Sequence, residues 1–443
     1  MTKRAQNWGG EDKARYNPSQ MLTTTAFVKN NLAYVLKIKQ RVGSIPQLAT
    51  NAKSPRYPAC SSQFKKIIRR VGHSLAISII LSSISTANAK LRSLDNLFVF
   101  GDSSSDIGNS TILTLNYSGT TSFPAPPNFE GRASNGFLAH EYLWALFNPA
   151  SPGIVPSFSG GTNYAISGAT TGKVNFNIIS PLVPDKLKPA FVDHGSSFQL
   201  KSFLDDHPSF DPNTSLFYIW AFPNDVLHWL ISAQMSAGNG LDSGTVSGLN
   251  PNIIGSDANS VSALIKNGVE NVATMITALA NQGATQFLIP NMADLGMTPL
   301  FGTHPDPTLA PKMSQISLLY NDALANTLQG LQHNLLGVEI MQANVDRLLS
   351  EVFLNPGTYG FESVTNSCLD TITGNICQNP DSWLFWDYFH PTTAVQRAVG
   401  HEFYNIVYDY PAPIPVPAPA PIAALCIAYK FSRVLRKKQK VSK

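Results

Sequence analysis

The pattern His-Glu-x-x-His, which sets two zinc ligands and a base on one helical face, is missing from this chain: His140-Glu141 and His401-Glu402 both lack the second histidine. Cysteine is scarce, with four in 443 residues, and the two in the body, Cys368 and Cys377, fit no four-ligand zinc site. No metal is therefore expected. The strained serine turn Gly-x-Ser-x-Gly is absent too; its nearest approximation, Gly72-His73-Ser74-Leu75-Ala76, falls in a segment read below as a removable signal. There is no internal repeat.

Charge is sparse and unevenly spread. Asp, Glu, Lys and Arg make up 14% of the chain, and the net +4 conceals two basic ends. Residues 1–89 carry 14 Lys/Arg against 2 Asp/Glu, and residues 411–443 carry 7 against none. Residues 90–410 hold 11 against 26, a net −15. An acidic body argues against nucleic acid as a partner.

What is present at the ends points to export. Lys65, Lys66, Arg69 and Arg70 precede the apolar run Leu75–Leu81, and a Ser-rich stretch closes on Ala87-Asn88-Ala89. That order is the layout of a secretory signal peptide over 65–89. The basic, aperiodic residues 1–64 read as an extended leader or as sequence ahead of the true start. After Tyr410 an alternating-Pro segment forms an extended spacer; Ile422–Tyr429 is apolar, and six basic residues follow between Lys430 and Lys440. From Pro421 to Phe431 the run falls far short of the ~20 residues of a spanning helix. The order resembles C-terminal sorting signals of the PEP-CTERM type in exported bacterial proteins, although Ala stands where Glu is usual between prolines. It implies transient membrane or cell-surface association. The expected location is secreted, periplasmic or on the surface of a bacterium. There, Cys368 and Cys377 flank the turn-prone Thr373-Gly374-Asn375 and read as a local disulfide.

The body, 90–410, reads as one α/β domain. Leu97-Phe98-Val99-Phe100 is a buried-strand candidate that Gly101 ends, with Ser103 in the turn beyond. The Thr/Ser/Pro/Gly-rich stretch after Asn109 predicts a loop, Phe137–Phe147 a helix, and Gly160–Gly172 a glycine-rich turn. Further strands are expected at Ser215–Trp220, Gln286–Asn291 and Gly337–Met341, and helices at Val261–Ala280 and Gln315–Leu331. A Ser/Gly/Asn-rich loop should fill Ser232 to about Asn259. Strands alternating with helices indicate a largely parallel, doubly wound sheet.

Late in the chain, Trp386-Asp387-Tyr388-Phe389-His390-Pro391 sets an acid three residues before a histidine. A serine hydroxyl is a poor nucleophile until an imidazole takes its proton, and the imidazole needs a carboxylate to fix its tautomer and stabilise its cation. Asp387 and His390 could orient each other on one turn. His228, one helical turn after Asn224, could face the same pocket; the remaining histidines read as surface or core groups.

Four blocks resemble the SGNH/GDSL hydrolase family in the family's order. Phe100-Gly101-Asp102-Ser103-x-Ser105-Asp106-x-Gly108-Asn109 is similar to the first, Asn163-Tyr164-Ala165-x-x-Gly168-Ala169 to the second, Asn224-Asp225 to the third, and Asp387-x-x-His390-Pro391 to the last. The resemblance implies a three-layer α/β/α, flavodoxin-like fold with a mostly parallel sheet. It also implies Ser103 as nucleophile, His390 as base, Asp387 as its orienting acid, and an oxyanion hole from the N–H groups of Ser103 and Gly168 and the Asn224 amide. No cofactor is implied. The expected activity is hydrolysis of carboxylic esters, with lipid or other acyl esters suggested by Phe217, Trp220, Phe222, Trp383, Phe385, Trp386 and Phe389. A carbohydrate acetylesterase and a catalytically impaired surface-binding protein are the alternatives. The latter rests on a departure: Phe222-Pro223 stands where the family has Gly-x before Asn-Asp. That predicts an ordinary backbone at Phe222, one N–H fewer at Pro223, and a displaced Asn224.

Overall fold

The computed structural model describes residues 93–238 and 260–409. The leader, the signal-like segment, the tail from 410 and the loop residues 239–259 lie outside the described residues.

In chain order, the longer elements begin with β1 (Asn96–Gly101), α1 (Asn109–Ser118), α2 (Ala139–Phe147) and α3 (Ser196–Asp206). β2 (Ser215–Trp220), α4 (Pro223–Gly238), α5 (Val261–Asn281), β3 (Gln286–Pro290) and α6 (Leu309–Asn334) follow. The chain continues with β4 (Glu339–Ala343), α7 (Val345–Leu354), β5 (Ser363–Ser367), β6 (Trp383–Phe385) and α8 (Thr393–Asp409). Strands β1 to β4 form one parallel sheet in the order β1-β2-β3-β4, while β5 and β6 pair separately. The segment 162–166 runs along the free edge of β1 through Val99 N–H to Thr162 O, Tyr164 N–H to Val99 O and Ile166 N–H to Gly101 O.

Strand period fixes the layers. Phe98, Phe100, Phe217, Ile219, Phe287 and Ile289 face one side, where they pack with Phe203 of α3, Val226 of α4, Val272 of α5 and Tyr320 of α6. The intervening residues Leu97, Val99, Leu216, Tyr218 and Leu288 face the other, against Leu143 of α2, Val352 of α7 and Phe403 of α8. Every residue of β2 is buried, as a central strand covered on both faces requires. The result is a three-layer α/β/α sandwich. Because the sheet is parallel, all four strands deliver their carboxyl ends, and the loops beyond them, to the same edge.

Three expectations are corrected. Residues 109–118 form α1 rather than a loop. Its buried side is polar, with Asn109, Ser110 and Thr114 inward, so no apolar stripe announces it. The Asp106 carboxylate supplies the start by accepting from the Gly108, Asn109 and Ser110 N–H groups at 2.8, 2.7 and 3.1 Å, which satisfies donors that a helix N-terminus leaves free. Helix α4 continues through Ser232 to Gly238, and α6 begins at Leu309, six residues before Gln315, with Pro311 in its first turn, where a missing N–H costs nothing.

Candidate active site

Gly101 ends β1 at φ 154°, and a Cβ there would come within 2.4 Å of the Trp220 carbonyl oxygen on β2. Only glycine lets the chain turn out of the sheet this close to its neighbour. The buried side chain of Gln199 on α3 holds the same residue from another direction: the Gly101 N–H donates to its Oε1 at 2.9 Å, and its Nε2 donates to the Gly101 carbonyl at 2.7 Å. An isolated polar residue on a helix gives no signal in the sequence, and this role was not anticipated.

Ser103 sits two residues on, in a turn where the Asp102 carbonyl accepts the N–H groups of Ser105 and Asp106. Its Oγ lies 2.8 Å from His390 Nε2, and His390 Nδ1 lies 2.8 Å from Asp387 Oδ2. The other carboxylate oxygen accepts the Phe389 and His390 N–H groups at 2.8 and 2.7 Å, so one turn carries both acid and imidazole. That turn is pinned to its surroundings by Trp386 N–H to His390 O at 2.8 Å and by the Ser134 hydroxyl to Pro391 O at 3.0 Å. The hydrogen-bond network assigns the proton to Nδ1, against the carboxylate, which leaves the Nε2 lone pair to accept from Ser103.

The local fields are consistent with that assignment. Burial by itself would lower the His390 pKa, but the Asp387 charge and hydrogen bond, with the Asp102 charge beyond, outweigh it and raise the pKa above the usual 6.5. Burial pushes Asp387 up, and the His390 charge and the N–H groups of His390 and Phe389 more than offset it, for a net lowering. Asp102 is driven up to about 6 by burial, against a Ser104 N–H and the His390 charge that favour its ionised form.

Gly168 has φ 79°, and a Cβ there would meet the Asn175 and Asn177 side chains at 2.5 Å. Its loop is tied to the serine turn through Asp106, whose Oδ2 accepts the Ser167 N–H at 2.9 Å. One buried carboxylate thus joins the serine turn, α1 and the Gly168 loop. Asn224 lies in the first turn of α4, and the following Asp225 binds that loop again, accepting the Thr171 N–H at 2.9 Å and its hydroxyl at 2.7 Å. The N–H groups of Ser103 and Gly168 donate to no acceptor among the described residues. Asn224 Nδ2 is buried and also unpaired: it is near enough to the Asp102 carboxylate to favour its charged form, but not in hydrogen-bonding geometry. A buried donor without a partner is unusual and marks a place where an acceptor can arrive.

The expected relaxation at Phe222 does not occur. Phe222 keeps φ 115°, the conformation glycine would favour, and its ring stacks on Tyr320 of α6 with centroids 3.8 Å apart and planes 4° from parallel. Gly268 of α5 opens the space on the ring, since a Cβ there would lie 2.3 Å from two ring atoms. Burying a Phe side chain yields about 1.5–3 kcal/mol, comparable to the ~1–3 kcal/mol cost of such a backbone, so packing can hold the strain. Pro223, at the first helical position, forfeits an N–H that the helix would leave unpaired anyway.

A cleft opens beside the serine turn, lined by Asp102 and Ser104 on either side of Ser103 and by Phe389 and Pro391 on either side of His390. Of the aromatics singled out from the sequence, Trp220, Phe385 and Phe389 line it. Phe217 and Phe222 belong to the core, and Trp383 and Trp386 pack against the Cys368–Cys377 disulfide. Sequence reading missed other parts of the wall, among them Met292, Leu295 and Met297 beyond β3, and Leu349 and Phe353 on α7. His228 does not line the cleft; it is buried on α4, Nδ1 3.5 Å from the Ser232 hydroxyl, with its pKa lowered by burial to about 4. His140 is fully buried behind the sheet edge, its Nε2 3.2 Å from Asn163 Nδ2. Among the described residues no group of three or more His, Cys, Asp or Glu is placed to hold a metal ion.

The sequence model of the GDSL-like Lipase/Acylhydrolase family matches residues 97–403. The chain belongs to that family. Among its relatives are two GDSL esterases/lipases of Arabidopsis thaliana. One is 24% identical over 357 residues, covering 73% of this chain and 93% of the relative. The other is 23% identical over 375 residues, covering 74% and 90%. A third from the same plant is 26% identical over 141 residues, and there the match spans 39% of the relative. The family match begins in β1 and ends in α8, so it contains Ser103, Gly168, Asn224, Asp387 and His390.

Proposed function

We propose that this protein is an exported serine hydrolase of carboxylic esters, with the acyl group of the substrate in the apolar cleft. The observation that carries the reading is the pair of contacts Ser103 Oγ to His390 Nε2 and His390 Nδ1 to Asp387 Oδ2, both 2.8 Å, together with unpaired donors at Ser103, Gly168 and Asn224. Membership of the GDSL-like Lipase/Acylhydrolase family and the names of the relatives agree with it.

In this mechanism Ser103 Oγ attacks the ester carbonyl carbon as its proton passes to His390 Nε2. Asp387 stabilises the imidazolium, and the Ser103 and Gly168 N–H groups and the Asn224 amide receive the oxyanion. The C–O bond to the alcohol breaks, and His390 protonates the leaving oxygen. Water, deprotonated by His390, then attacks the acyl-serine, and collapse releases the carboxylic acid and returns the proton to Ser103.

The apolar lining favours acyl esters over the small acetyl group of a carbohydrate acetylesterase, and the Phe222 backbone at φ 115° supports a working site over an impaired, purely binding one. The signal-like segment 65–89 supports export, and the Pro, apolar, basic order of the tail supports transient surface association. The test is hydrolysis of chromogenic esters from acetyl to palmitoyl by the full chain and by Ser103→Ala, with a fluorophosphonate probe of Ser103. Turnover by the native protein and its loss in the variant are expected. Turnover that survives the substitution sinks the mechanism. Expression in a bacterium should give a mature chain beginning at Lys90; an uncleaved cytoplasmic product refutes export.

A further inference from the structure

Helix α7 carries more apolar surface than the core uses. Val345, Leu348 and Val352 are buried against the sheet. One position on from Leu348 and Val352, Leu349, which also touches that core, and Phe353, which is not part of it, form a second ridge, one turn apart, that stays half-buried and lines the cleft. At 3.6 residues per turn these stripes are adjacent, so the apolar band is wider than packing requires. The surplus faces the cleft that opens beside Ser103.

The sheet order places this ridge at the far end of that cleft. Ser103 lies past β1, Trp220 ends β2, Met292 follows β3, and α7 follows β4. Asp102 and Ser104 on either side of Ser103, Trp220, Met292 and α7 all contribute to the one lining, so the cleft crosses the carboxyl edge of the sheet from the serine turn to α7. Three interstrand spacings amount to roughly 14 Å, the reach of an extended medium-length acyl chain. The Trp220 indole N–H is fixed to Asn291 O at 3.1 Å, making the floor rigid. At the far end Asp346 N–H donates to Asn291 Oδ1 at 3.0 Å, which anchors the start of α7 to the same residue.

We propose that Leu349 and Phe353 are the end wall of the acyl site and set the length of the acyl group the enzyme accepts. The inference rests on the ester-hydrolase reading for the reaction, but the wall itself concerns binding of an alkyl chain and is tested separately. Aliphatic chains of medium length fill the cleft up to the ridge, and longer ones must displace it or leave their ends in solvent.

The experiment measures kcat/KM of the full chain for p-nitrophenyl acetate, decanoate and palmitate. With Phe353→Trp, which advances the wall, the decanoate-to-acetate ratio should fall about tenfold or more, the discrimination that a few methylenes give in an apolar pocket. With Leu349→Ala, which recedes it, the palmitate-to-decanoate ratio should rise. Cooperative thermal melts confirm that each variant is folded. Ratios unchanged in both folded variants overturn the wall while leaving the hydrolase reading intact. In parallel, a fluorescent long-chain fatty acid is titrated into Ser103→Ala and into Ser103→Ala/Phe353→Trp. If the native protein hydrolyses no ester but the fatty acid binds Ser103→Ala and binds more weakly once Trp is added, the reaction falls and the acyl wall stands. Equal binding to the two proteins, or none to either, overturns the wall.

Discussion

The ring of Phe222 lies flat on that of Tyr320, 3.8 Å between centroids, while the Phe222 backbone holds φ 115° two residues before Asn224. Packing by α5 and α6 thus secures a strained loop that carries an unpaired amide, Asn224, near Asp102 in the serine turn. Gly268→Ala tests this coupling. The new Cβ would fall 2.3 Å from two atoms of the Phe222 ring and must move it. A loss of about 1–3 kcal/mol in urea-unfolding stability is expected, the range for overpacking a filled core, together with a lower kcat. Native stability and native kcat in this variant would show that the ring and the loop are independent.

Asn224→Ala should act on the reaction and hardly on the fold. Nδ2 makes no hydrogen bond within the protein and only favours the Asp102 charge nearby, whereas an oxyanion donor contributes about 2.7–4 kcal/mol to the transition state, or roughly 10²–10³ in kcat. Steady-state kinetics on one ester should show kcat reduced by that factor with KM little changed. A rise in KM at constant kcat would assign Asn224 to ground-state binding instead.

The pH dependence follows from His390. As base it must be neutral, so kcat/KM should fall as pH drops through its pKa, which Asp387 and Asp102 hold above 6.5 despite burial. Asp102→Asn removes one of the two negative charges that raise that pKa and keeps an acceptor for the Ser104 N–H. The acid limb of the profile should therefore shift to lower pH. A limb that stays in place, or moves upward, contradicts the electrostatic role of Asp102.

Asp106→Ala should damage fold and site together. It strands the N–H groups of Gly108, Asn109 and Ser110 and leaves the Ser167 N–H only the Ser110 hydroxyl, and a buried donor left without an acceptor costs roughly 1–3 kcal/mol. With partial rescue by water, a stability loss of about 3–5 kcal/mol is expected in chemical denaturation. Residual enzyme should show reduced kcat, because the Gly168 loop loses one of its ties to the Ser103 turn.

Much of this organisation is legible before any coordinates. The strand candidates at Leu97–Phe100, Ser215–Trp220 and Gln286–Asn291 coincide with β1, β2 and β3 to within a residue or two, because a fully buried parallel strand must be a short unbroken apolar run between turn residues. Asp387 and His390 are separated by one turn, so their partnership is local and readable from spacing. Helix α1 was not legible: its inward face is polar, its N-cap is Gly108, and the carboxylate that satisfies its first N–H groups comes from Asp106 two residues earlier, which sequence patterns do not distinguish from a loop.

The sequence by itself determined the alternation of strands and helices, hence the layers, and it named a serine, a histidine and an acid of complementary chemistry. Those properties reside in local composition and short spacing. Tertiary structure alone decided that Ser103 and His390, 287 positions apart, meet at 2.8 Å, that Phe222 keeps the backbone of a glycine, and that α7 turns a spare apolar ridge toward the cleft. Each depends on which elements become neighbours across the sheet, and the packing energy that fixes them comes from residues with no mark of their purpose in the chain.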